Sequence, residues 1–123
     1  MKRVMMSVVA VAALLGARIA PAQDAAQVDA KHYTVLIDND QVRVLKAHYE
    51  PGEKSVMHSH PNTVAVFLND GKGKFTYPDG KSEDVTMKAG TAGWHDAVSH
   101  LPENTGTTPF DVIVVELKKP AAK

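Results

Sequence analysis

From residue 33 onward the apolar positions come in short runs, each ended by a turn signal. Tyr33–Ile37 is apolar and β-branched and stops at Asp38-Asn39-Asp40. Gln41–Tyr49 alternates, with Leu45, Ala47 and Tyr49 on one face, before Pro51-Gly52 turns the chain. Val56–His60 ends at Pro61, and Thr63–Leu68 is almost continuously apolar, the pattern of a strand covered on both faces. Lys74–Tyr77 and Asp84–Met87 flank Pro78-Asp79-Gly80, a hairpin signal. Thr91–His95 and Val98–Pro102 follow, then a turn-rich loop at Asn104–Pro109, then the strong strand Phe110–Leu117. Short strands at this spacing, with no helical period, predict an all-β sandwich or barrel. The expected organisation is one domain over 33–118, a flexible leader at 23–32 and a tail at 119–123.

The first 22 residues follow a different pattern. Lys2 and Arg3 precede an apolar run, Val4–Gly16, too short for a comfortable membrane span, and Ala20-Pro21-Ala22 suits signal cleavage. A cut after Ala22 leaves 101 residues, Gln23–Lys123, enough for one domain. The expected destination is the periplasm or the exterior, with no membrane span in the mature chain. The chain has no cysteine, which excludes a lipid anchor on Cys and disulfides alike. Without Lys2, Arg3 and Arg18 it keeps 11 basic and 14 acidic residues, a net of −3, and no basic stripe. That composition argues against nucleic acid as a partner.

Histidines bring in the chemistry. His58 and His60 are spaced i, i+2, so a strand carries both on one face, and His100 lies on another expected strand. Three imidazoles converging inside a small barrel suit one metal ion.

These residues also sit in a recognisable frame. Gly52 precedes His58-x-His60 at the spacing of the first motif of the cupin family, and Gly71 closes the segment. Gly90, His100 and Asn104 fit the second motif. Over roughly Val42–Leu117 the chain therefore resembles a small single-domain cupin. The resemblance implies a double-stranded β-helix, a jelly-roll barrel. It also implies that His58, His60 and His100 hold one divalent transition metal: copper, zinc, iron, manganese or nickel. The chain departs from the family where the Glu of the first motif falls, at Ala65 or Val64, and has His95 and Ala97 in place of the usual Pro and Gly of the second. A three-His site without the Glu keeps more positive charge, which favours anions. Such centres in the family include iron oxygenases. Export without a twin-Arg pair pulls the other way, toward loading with copper or zinc outside the cytoplasm.

The expected function is a metal-dependent enzyme of oxygenase type acting on a small, anionic organic substrate. The alternative is a periplasmic cupin that binds a metal or small ligand without turnover. Ala65, Phe67 and Trp94 are expected to line the pocket, and His95 is the candidate base. Asn104 is expected to fix a loop, and His32 and His48 to face solvent. If Ala65 and Phe67 face inward, Val64, Val66 and Leu68 face outward, which predicts a homodimer.

Overall fold

The computed structural model describes residues 23–119; the signal segment expected at 1–22 and residues 120–123 of the expected tail lie outside the described residues. Nine strands follow a single helical turn, α1 (Ala25–Val28). They are β1 (Tyr33–Asp38), β2 (Val42–Tyr49), β3 (His58–His60), β4 (Thr63–Phe67), β5 (Gly71–Thr76), β6 (Ser82–Met87), β7 (Ala92–His95), β8 (Val98–Asn104) and β9 (Phe110–Leu117). Five strands form one sheet in the order β1-β2-β9-β4-β7, and four form the other in the order β3-β8-β5-β6. Every pairing between these strands is antiparallel. Among the described residues, no helix is long and apolar enough to cross a membrane.

The alternation along β2 and β9 builds the core. Leu45 faces Val114, Ala47 faces Val112 and Tyr49 faces Phe110, and all six are buried. Ala65 on β4 and Met87 on β6 complete this cluster, with Phe67 and Val85 packed at its margin. The β5–β6 hairpin turns at Gly80, whose φ of +85° an L side chain rarely adopts.

Two expectations about the outlying segments change. Residues 23–32, read as a flexible leader, pack onto the barrel. Asp24 caps α1 through the Ala26 amide, Ala25 is fully buried, and the Ser59 amide donates to the Gln23 carbonyl. Strand β8 also runs two residues further than the sequence pattern suggests, to Asn104. Its amide side chain is fully buried and donates to the Tyr49 and Thr108 carbonyls while accepting from the Gly106 amide. Asn104 thus fixes the loop into β9, as the sequence suggests.

Candidate metal centre

The register of β3 on β8 creates the site. His58 lies directly opposite His100, and His60 sits two residues along the same face of β3. All three side chains are buried, and one ligand nitrogen from each lies within 4.8 Å of the others. The ring centroids are 4.8, 4.9 and 5.2 Å apart and the planes nearly perpendicular, so the rings converge without stacking.

Hydrogen bonds set two of the three tautomers. His58 Nδ1 is 2.9 Å from the Val56 carbonyl and 3.2 Å from Ser55 Oγ, whose own proton goes to Asp29. Both neighbours accept, so Nδ1 carries the hydrogen and Nε2 is left with its lone pair. His60 Nδ1 donates to Glu116 Oε2 at 2.7 Å, which leaves its Nε2 free in the same way. Among the described residues, His100 Nε2 is buried with no hydrogen-bond partner. A buried polar atom without a partner calls for an explanation. Three imidazole nitrogens sharing one ion supply it, at bonds of about 2.0–2.1 Å.

Electrostatics point the same way. Burial, aided by the neighbouring His60, pushes His58 down to about 4. Burial and the neighbouring His58, His60 and His95 push His100 down to about 3. Both rings are therefore neutral at physiological pH, the form that binds metal. Imidazole nitrogens suit zinc, copper, iron and nickel alike, so the donor set does not choose among them.

His60 and His100 of the triad line a cavity of about 70 Å³, whose walls are mainly apolar side chains including Ala65, Phe67, Phe75 and Val114. Such a space takes a few waters or a ligand of few atoms. Two phenols also line it, beside the triad. Tyr49 donates to the Tyr33 hydroxyl at 2.9 Å, and the Tyr33 hydroxyl lies 3.3 Å from His58 Nε2. Burial raises the pKa of both, keeping them protonated.

The cupin-domain family matches residues 45–116, more than half of the chain. The chain belongs to the cupin family. A solved cupin domain from Bordetella pertussis is 28% identical, with a TM-score of 0.66, over 71% of this chain and 92% of that one. A cupin with a double-stranded β-helix fold from Methanocaldococcus jannaschii is 18% identical, with a TM-score of 0.55, over 72% and 83%. A predicted oxalate decarboxylase from Thermotoga maritima is 25% identical, with a TM-score of 0.51, over 70% and 79%. No curated protein matches the chain.

Within this cupin barrel the expected residues divide. His58, His60 and His100 come together, and Ala65 and Phe67 line the cavity beside them. His95 also lines the cavity, half-buried, but it is not in the triad. Trp94 does not line it. Thr63 pairs with His95 and Ala65 with Gly93 on the inner face, so Trp94, opposite Val64, points outward. It is 55% exposed, and its indole N–H donates to Asp96.

His32 is buried rather than solvent-facing; it stacks on Tyr49 at 4.3 Å and bonds to Asp29. Its Nε2 lies 3.4 Å from Glu53 without an aligned hydrogen bond. His48 does face outward, but it is held between Asp111 and Glu50. Those two carboxylates raise its pKa.

Glu116 is the residue that sequence reasoning missed most completely. It is 2% exposed and joins His60 to Arg43, which in turn pairs with Asp24. The hydrogen bonds to Asp24 and Glu116 raise the Arg43 pKa, and Arg43 lowers that of Asp24. The missing first-motif Glu therefore does not leave the site without a carboxylate. Glu116 supplies one behind a ligand rather than on the ion. With Arg43 and Asp24 it adds a formal −1, which tempers the positive charge expected of three neutral imidazoles. The only sequence signal was an acidic residue at an inward position of β9, an otherwise apolar strand.

Proposed function

We propose that this cupin holds one divalent transition metal on His58, His60 and His100 and offers it to a small anionic organic ligand, as an enzyme of oxygenase type. The observation that carries the reading is the buried His100 Nε2, partnerless beside two imidazoles whose tautomers leave Nε2 free. When bound, the metal would supply Lewis acidity or a site for oxygen activation. The chain's own residues do the rest. Glu116 and the Val56 carbonyl orient the ligand rings, a role that raises ligand basicity and fixes ring position. Phe67, Phe75 and Val114 keep water out, and the cavity's size restricts entry to small molecules. The Thermotoga maritima relative named as a predicted oxalate decarboxylase fits the same size class. His95, lining the cavity and half-buried, is the group placed to move a proton.

A second reading, binding without turnover, is favoured by the apolar lining. Apart from the triad, the titratable lining groups are Tyr33, Tyr49 and His95.

Metal analysis by mass spectrometry on the wild type and the His58→Ala/His60→Ala pair tests the site. About one metal per chain, lost in the variant, is expected; no metal and no uptake on reconstitution would end the reading. Oxygen consumption with small carboxylates then separates turnover from binding.

Two further assignments belong with this reading. Residues 1–22 direct export, so the mature protein should begin at Gln23 by N-terminal sequencing. A second copy covers the outer face of the five-stranded sheet. There Ile37, Val44, Val115, Val64 and Trp94 lie in one register row across all five strands. A self-complementary apolar face of this kind suits a two-fold dimer.

A further inference from the structure

Tyr33 has a proton without a good home. Its hydroxyl is buried and accepts from Tyr49 at 2.9 Å. Its own hydrogen points to His58 Nε2 at 3.3 Å, long for an O–H donor. That acceptor is the nitrogen whose lone pair the metal would take, because His58 Nδ1 is committed to Val56. Among the described residues, loading the triad therefore removes the acceptor that the Tyr33 proton has. A buried donor left without an acceptor is costly. The space in front of Tyr33 is the cavity itself, whose remaining lining is mostly carbon. The bond between the two phenols already runs from Tyr49 to Tyr33.

We propose that Tyr33 donates a hydrogen bond to an oxygen of a small carboxylate seated against the His58–His60–His100 triad, with Tyr49 holding the Tyr33 hydroxyl in place. This rests on reading the triad as a metal centre. Tyr33 from β1 and Ala65 from β4 line the same cavity, from two strands of one sheet. The pair of phenols thus selects ligands that carry an oxygen acceptor close to the atom bound at the triad, as a carboxylate does. Tyr49 is a positioning residue, since it acts only through Tyr33.

Cobalt(II)-loaded protein titrated with acetate, followed by the visible cobalt bands, tests this. Tyr33→Phe should bind cobalt as the wild type does, one per chain, and bind acetate roughly ten- to a hundredfold more weakly. Equal acetate affinity in the two proteins would overturn the proposal. So would loss of cobalt from a Tyr33→Phe protein that keeps its circular dichroism, which would make Tyr33 a ligand instead. If cobalt binds neither protein, the metal reading itself fails and the proposal falls with it. Should Tyr33→Phe not fold, Tyr49→Phe carries the test: freeing the Tyr33 hydroxyl should weaken acetate severalfold with cobalt binding intact, and unchanged acetate affinity would overturn it.

Discussion

The two faces of the five-stranded sheet invert the usual order of a small protein. On the inner face, Glu116 pairs with Arg43 among apolar side chains and accepts from His60 of the facing four-stranded sheet, with Glu116 and His60 both buried. On the outer face, Ile37, Val44, Val115, Val64 and Trp94 turn an apolar row outward. Burying charge costs several kcal/mol per ion unless partners satisfy it. Exposing an apolar row also costs unless something covers it. A sheet built to maximise its own stability would do neither. The inner face gives up stability to preorganise imidazoles, and on the proposed dimer reading the outer face gives it up to keep a contact surface.

Removing Glu116 should break the inner face most. Glu116→Ala strands the His60 Nδ1 hydrogen and one side of Arg43, and its expected cost is about 3–5 kcal/mol in urea unfolding. Metal affinity should fall about 10–100-fold by competition titration. If Glu116→Ala unfolds at the wild-type midpoint with unchanged metal affinity, the inner chain is ornamental.

Acid sharpens the contrast between the faces. In the metal-stripped protein, His58 and His100 have lowered folded pKa values, so the unfolded chain takes up their protons first. Their contribution to stability should be complete above about pH 6.5 and drain away as pH falls toward 4, a loss on the order of 3 kcal/mol for each ring. On the outer face, His48 has the opposite sign: its raised pKa gives a contribution present below about 6.5 and lost as pH rises through the folded value. Histidine proton shifts followed by NMR across pH 3–8 check both signs, and His58 or His100 titrating near 6.5 would contradict the buried, neutral assignment.

Trp94→Ala should change the folded monomer least, within about 0.5 kcal/mol. The same change should weaken the dimer, read as a shift toward monomer in sedimentation at micromolar concentration. A Trp94→Ala protein that stays dimeric would remove the outer face from the contact.

What the sequence carried and what it hid follow from distance along the chain. Leu45, Ala47 and Tyr49 fall inward as their alternation says, and the His-x-His step puts two rings on one face, because period-2 geometry is local. Asn104 was legible from its place in a turn-rich stretch. Trp94 was misplaced because the phase of a short strand is hard to fix from four residues, and an error of one residue moves a side chain to the other face. Glu116 and Tyr33 reach the triad through strand pairing over long separations, which no local pattern encodes. His32 was read as exposed because nothing near it in sequence announces the stack on Tyr49.

The packing of Asp24 and Gln23 has a practical consequence for anyone shortening this protein. A domain boundary drawn at the first strand would discard both. With them goes the carboxylate that steadies Arg43, and through Arg43 and Glu116 the setting of His60. The stretch Gln23–Asp24 acts as a tether on the histidine cluster. A trimmed version would keep its barrel and its three histidines yet hold one of them on a slack line.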